Sequence, residues 1–297
     1  MCDSLSGDCS HRVIVLIGWQ PRRSAKMLRF RIECSFAVSL RDRMAVLTTT
    51  AQTVESAKRT GLSSRYAGVV AWGLLWPFLY LLIAFPIQST LVRSLTALTL
   101  LTIGIGAIRL SWTSRIAFYF LMGLFAASAT ILLIPCRPPD REALRQNYAA
   151  TLQRYLGTRY VWGGETSWGI DCSGLVRRAM VDTVFRTAAT TWNPGCIRSG
   201  LDIWWHDCTA KSLGEGYAGR ISIIARVKSI NTVENETLLC GDLAIVSDGL
   251  HVLAMIDKGV WIEANPEQHC VILDKVPDAS NHWMNCPAVI VRWELLK

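Results

Sequence analysis

Between Ala67 and Cys136 the chain carries three arginines and no acidic residue, and its apolar residues fall into three blocks. No other stretch restricts the fold as much. Backbone placed in hydrocarbon must satisfy its own hydrogen bonds, so a spanning segment has to be helical or part of a closed barrel. The first block, Ala67 to Gln88, is uncharged and long enough to cross about 30 Å of hydrocarbon. Its Trp72, Trp76 and Tyr80 suit an interface or a packing face, and Pro77 is tolerable inside a membrane helix. The second, Ser94 to Ile108, is a short span bounded by Arg93 and Arg109; the third, Ile116 to Cys136, is again long enough. Any one of them could be a buried helix of a soluble core. Three in succession without an acidic residue point to an α-helical transmembrane region of two or three helices over residues 67–136.

Charge follows this division. Residues 1–66 hold 11 Lys and Arg against 5 acids, whereas residues 137–297 hold 17 against 18. The basic excess of the whole chain, +8, therefore belongs to the N-terminal half, where it reads as membrane topology and not as a nucleic-acid footprint. Lys58, Arg59 and Arg65 favour a cytoplasmic N-terminus, and Arg109 with Arg115 favour a cytoplasmic loop between the second and third blocks. Three spans satisfy both and put the C-terminal part outside the cytoplasm; Arg137, Arg141 and Arg145 then fall on the opposite side from the rule. Two spans, with the middle block not inserted, would leave it in the cytoplasm.

Residues 1–66 form a basic segment of mixed composition, disordered or an overextended start, with Met27 and Met44 as alternative initiators. The run Arg12 to Trp19 is too short in its apolar core for a signal peptide. After the membrane region, two prolines in CRPPDRE stop the helix and Asp140 is placed to cap the next. Leu144, Tyr148, Leu152, Tyr155 and Leu156 then make one apolar helical face ending at Gly157. This helix opens a third domain, residues 137–297.

Within it, Cys172 stands where a helix running to about Ala188 would begin, after the Gly- and Trp-rich loop YVWGGETSWGID. A helix N-terminus offers unpaired N–H groups and partial positive charge, which favour thiolate. Without a base, the same cysteine is a small buried hydrophobe. Residues 189–237 are mixed and carry no clear period. Beyond them come strand patterns at Leu238 to Ser247, His251 to Asp257, Val260 to Ala264, His269 to Leu273 and Ala288 to Trp293, with Asp248-Gly249 and Lys258-Gly259 as turns of an antiparallel meander. A Cys-bearing helix followed by an antiparallel sheet is an α+β arrangement. Of the histidines at 206, 251, 269 and 282, His251 opens a strand just after a turn, and Glu263 sits on the neighbouring strand within reach across the sheet. The ten cysteines include no CxxC pair and no zinc-type Cys/His spacing, so no metal and no other cofactor is expected, and the remaining thiols are read as buried residues ahead of disulfides.

The segments YLGTRYVWGG, DCSGLV, GDLAIVSDGLHVLAMI and GVWIEANP, in this order, resemble the NlpC-type papain-like cysteine peptidases that cut bacterial cell-wall peptides. The resemblance covers about residues 145–295 and implies a papain-like domain. It implies Cys172 as nucleophile, His251 as general base and Glu263 as the third polar residue, a place the family usually gives to His and sometimes to Asn or Gln. Tyr160 matches a tyrosine lining the site, and Asp171 and Ser173 match positions that help hold the substrate's free amine. Two departures stand out: the 79-residue separation of Cys172 and His251, which makes 189–237 an insertion that reshapes the cleft, and Glu in the third place, with Asn265 as the fallback orienter. The implied function is hydrolysis of an amide in peptidoglycan stem peptides by a multi-pass protein of the bacterial inner membrane, with an extracytoplasmic (periplasmic) catalytic domain. An amidase or acyltransferase acting on another amide, thioester or lipid ester, and a catalytically silent membrane-tethered binding module, are the alternatives.

Overall fold

The computed structural model describes residues 64–135, 137–233 and 237–297. The expectations for residues 1–63, including the alternative starts and the Arg12 to Trp19 run, lie outside them. The chain divides into two compact units, Met1–Pro77 and Phe78–Lys297. Of the first, the described residues are helical, and Trp72 meets Trp76 edge to face at 5.8 Å, as residues four apart on a helix can.

Among the described residues three helices are long and apolar enough to cross a membrane: α1 (Ser64–Ala84), α2 (Thr90–Ser111) and α3 (Arg115–Leu133). The second is longer than its uncharged core of 15 residues because Ser89 caps it, accepting from the Val92 N–H, and because Arg93 in its first turn is neutralised by Glu165. Helix α3 has no buried residue, so its apolar surface is not used up by packing within the chain.

The Phe78–Lys297 unit contains a mixed helix and sheet domain. Helix α4 (Arg141–Gln153) begins at Asp140, whose carboxylate accepts from the N–H groups of Glu142 and Ala143. A two-stranded ribbon follows, β1 (Glu165–Thr166) with β2 (Gly169–Ile170), and then α5 (Cys172–Thr191). The segment without a clear period contains α6 (Pro194–Trp205), α7 (Ala210–Gly214) and β3 (Ile221–Val227). Next come β4 (Leu243–Val246), β5 (His251–Asp257), β6 (Val260–Asn265), β7 (Cys270–Lys275), the short α8 (His282–Asn285) and β8 (Ala288–Trp293). The six strands β3 to β8 form one antiparallel sheet in the order β3-β8-β4-β5-β6-β7, with β4-β5-β6 as the expected meander.

Both faces of this sheet are covered. Val252, Ala254, Ile256, Ile262 and Ala264 pack under Leu175, Val176 and Ala179 of α5 and Leu144, Tyr148 and Leu152 of α4. The alternate residues Leu253, Met255 and Trp261 pack with Met284 of α8 on the other face. Two expectations need correction. The strand pattern Leu238 to Ser247 yields a strand only from Leu243, because Asp242 folds back to accept the Leu239 N–H and is fixed by the guanidinium of Arg292 at 2.6 and 2.8 Å. The strand placed at His269 to Leu273 runs instead from Cys270 to Lys275, since His269 has left-handed backbone at φ 58°.

Candidate active site

The loop before α5 is built so that two backbones can touch. An added Cβ at Gly174 would lie 2.1 Å from the Gly164 carbonyl oxygen, and one at Gly164 would lie 2.5 Å from the Gly169 carbonyl oxygen. That close approach is the physical reason for glycine in DCSG and in the second position of the Gly163-Gly164 pair. Asp171 locks the arrangement. Its carboxylate accepts from the N–H groups of Gly174 (2.6 Å) and Gly163 (2.8 Å) and from the Ser173 hydroxyl (3.0 Å). Burial pushes its pKa up while these hydrogen bonds oppose the rise. Cys172 is thereby the first residue of a 20-residue helix, 8% exposed, at the floor of a cleft.

His251 reaches that thiol from the sheet. Strand alternation puts it on the Leu253 and Met255 face, and the Ala254–Ile262 pairing carried one residue further sets Glu263 opposite Leu253, which makes it the diagonal neighbour of His251. Nε2 meets the Glu263 Oε2 at 2.5 Å, leaving Nδ1 for Cys172. Both side chains are buried, at 1% and 0% exposure. Burial works against a charged imidazole, but hydrogen bonding and charge from Cys172 and Glu263 outweigh it and raise His251 to about 9. Glu263 goes the other way: its burial favours protonation, yet His251 and two amides hold its pKa below the ordinary value. Those amides are Asn265 Nδ2 and Asn281 Nδ2, donating to Oε1 at 2.7 and 3.0 Å. Asn265, named from sequence as a fallback orienter of the histidine, therefore braces Glu263. On the outer side the Trp283 ring stacks on the imidazole, centroids 4.7 Å apart and 22° from parallel.

The structure thus brings Cys172, His251 and Glu263 into one hydrogen-bonded line, with Tyr160, Asp171 and Ser173 around the thiol. Burial raises the Tyr160 phenol, so its hydroxyl keeps its proton across the working pH range and can donate. The cleft, about 290 Å³, is also lined by Ile87, Gln88, Ser89 and by Asp207, Cys208, Thr209 and Ala210. The segment 189–237 therefore does supply one wall. A larger hollow of about 580 Å³ between the 134–140 linker and the end of α5 shares no residue with the site. Sequence reasoning missed Trp283, Asn281 and Glu165; the first two lie in no motif and only the fold brings them near, while Glu165 lies in the loop before Cys172 without a signal for its role. Among the described residues no group of three or more His, Cys, Asp and Glu side chains converges on a metal position, and Cys172, Cys208, Cys240 and Cys270 are free thiols.

This geometry can activate a thiol, hold a proton on its partner base and present donors to a developing oxyanion. Comparison with known proteins agrees with the fold. The NlpC/P60 family model matches residues 157–286, and members of that family are typically cysteine peptidases or hydrolases. Among solved structures, NlpC1 from Trichomonas vaginalis is 15% identical with a TM-score of 0.34, covering 53% of this chain and 46% of its own. The peptidoglycan hydrolase RipB from Mycobacterium tuberculosis is 18% identical with a TM-score of 0.32, covering 51% and 65%. The NlpC/p60 domain of the peptidoglycan hydrolase SagA is 21% identical with a TM-score of 0.28, covering 49% and 97%. This chain thus spans less than half the length of the first of them. No curated protein matches it. With an α5 cysteine set against a β5 histidine, residues 157–286 form an NlpC/P60 family domain.

Proposed function

We propose that this chain is a membrane-anchored cysteine peptidase that hydrolyses an amide bond in peptidoglycan stem peptides through Cys172, His251 and Glu263. The observation that carries the reading is the buried 2.5 Å contact between His251 and Glu263 beside a thiol at a helix N-terminus. The Cys172 thiolate attacks the amide carbonyl, and N–H groups at the start of α5 stabilise the oxyanion. The imidazolium of His251 then gives its proton to the departing amine, and in the second half-reaction His251 takes a proton from the water that releases the acyl group. Glu263 holds the ring by Nε2 and stabilises its charged form. Tyr160, Asp171 and Ser173 line the substrate side; because Asp171 also caps α5, its loss disturbs fold and binding together. The peptidoglycan substrate follows from the family and from what its structural neighbours are named for. Replacing Cys172 with Ala is expected to abolish cleavage of purified muropeptides by the full chain, and cleavage at the wild-type rate would overturn the reading.

The same reading places the domain outside the cytoplasm, and contacts within the Phe78–Lys297 unit support it. The connector between α1 and α2 touches the domain: the Glu165 N–H donates to the Pro86 carbonyl at 2.9 Å, and Ile87 forms a β-bridge with Gly164. Connector and domain can share a side only if α2 and α3 both cross or neither does. Those contacts favour three spans over a topology in which α3 crosses and α2 stays out. Arg109 and Arg115 flank the opposite turn and mark it as cytoplasmic. A phosphatase fused after Lys297 should be active; an inactive but intact fusion would reverse the topology.

A further inference from the structure

The short connector between the first two apolar helices is rigidly made. The Gln88 side-chain amide donates to the carbonyls of Leu82 (2.9 Å) and Phe85 (2.7 Å), carbonyls that the end of α1 would otherwise leave unpaired. Ser89 caps α2 one residue later. Arg93, in the first turn of α2 and only 1% exposed, places its Nη2 3.0 Å from both oxygens of Glu165, which also pairs with Arg177. Arg93 Nη2 further lies 3.5 Å from Asp207. A buried guanidinium is retained only when it is paired, and here its partners, Glu165 and Asp207, both line the cleft that holds Cys172. With the Pro86 and Ile87 backbone docked on Gly164 and Glu165, Ile87, Gln88 and Ser89 form part of the lining of that cleft.

Resting on the peptidase reading, we propose that the Pro86–Ser89 connector is a specificity-determining wall of the catalytic cleft, and that Arg93 is the positioning residue that holds it there. The membrane region is then part of the catalytic unit. A cleft of about 290 Å³ is at the low end for a ligand pocket. Closed on the Ile87 side, it admits the end of a short peptide and excludes one that continues past the connector.

The test uses the full chain in lipid nanodiscs with two readouts. One is the rate at which Cys172 is alkylated by iodoacetamide and by a bulky fluorescent maleimide, read at the Cys172 peptide by mass spectrometry. The other is KM and kcat for a short muropeptide and for one extended at its terminus. Ile87 is 42% exposed, so its side chain lies outside the buried core. Ile87→Gly is expected to raise the bulky-to-small alkylation ratio roughly tenfold and to lower KM for the extended peptide more than for the short one. Ile87→Trp is expected to move the ratio the other way. Arg93→Ala should mimic Ile87→Gly, and Arg93→Lys should restore part of the wild-type ratio. An unchanged ratio and unchanged KM in both Ile87 variants would overturn the proposal. Alkylation needs no turnover, so a shifted ratio in a chain that cleaves no muropeptide keeps the wall and removes the peptidase reading, while normal cleavage with an unshifted ratio does the reverse.

Discussion

Replacing Glu263 with Gln removes one charge from the site while keeping the shape of the side chain. In the wild type, His251 is raised from 6.5 to about 9 although it is buried. That rise corresponds to roughly 3 kcal/mol in favour of the imidazolium at 1.36 kcal/mol per unit. Two groups supply it, Cys172 and Glu263, against a burial cost that Gln leaves in place. Losing the carboxylate share should lower the pKa by at least about one unit, a tenfold change in the protonated fraction on the alkaline side. With its single oxygen turned to His251 the amide can still accept from Nε2, at the cost of setting its NH2 against the Asn265 and Asn281 donors. The pH profile of kcat/KM is therefore expected to lose its plateau near pH 9 in the wild type and at least about one unit lower in Glu263→Gln, with the neutral-pH value down by on the order of 10²-fold. Stability has the same sign. A raised histidine pKa contributes stability that is complete below the unfolded value and is lost as pH rises through about 9, so the variant should show a shallower loss of thermal stability over pH 6.5 to 9. An alkaline limb that stays at about 9 in Glu263→Gln would refute the assignment of Glu263 as the source of the shift.

Other outcomes follow from the same geometry. Gly174→Ala sets a methyl group 2.1 Å from the backbone oxygen of Gly164, which itself accepts the Asp171 N–H, so nothing flexible can yield. A loss on the order of 3 kcal/mol is expected in denaturant unfolding; a loss under about 0.5 kcal/mol would mean the loop can open. Trp283→Ala removes the ring stacked on His251 and is expected to lower kcat about tenfold with KM little changed, while Trp283→Phe retains most of the rate. Asp274, buried beside Glu263, is raised to about 6 by its burial and by the neighbouring charge. The folded chain then binds this proton more tightly than the unfolded chain, so its contribution is complete below about pH 4 and is lost as pH rises through about 6. Asp274→Asn should accordingly gain up to about 2 kcal/mol at pH 7 and little at pH 4, and equal effects at both would contradict the charge argument.

Much of the site was legible in the sequence because its chemistry is local. DCSG declares both the capping aspartate and the glycine that permits close backbone approach, and the alternation in HVLAMID and VWIEA puts His251 and Glu263 on one face of neighbouring strands. Strand periodicity failed at Leu238 to Asp242, where a carboxylate and a distant arginine, Arg292, decide the backbone. The Gly- and Trp-rich run 189–237 had no period to read, since its elements are short and owe their places to what they pack on.

By itself, then, the sequence determined where the apolar helices lie, which cysteine opens a helix after the Gly-rich loop and which histidine opens a strand, since each depends on residue type and short spacing. Tertiary structure alone decided what surrounds them. Trp283 and Asn281 reach His251 and Glu263 from 20 and 18 residues beyond Glu263, Arg93 comes from a helix 72 residues before Glu165, and Ile87 lines the same cleft as Cys172. Such contacts are set by how helices and strands close on one another, and no local pattern of charge or periodicity encodes them.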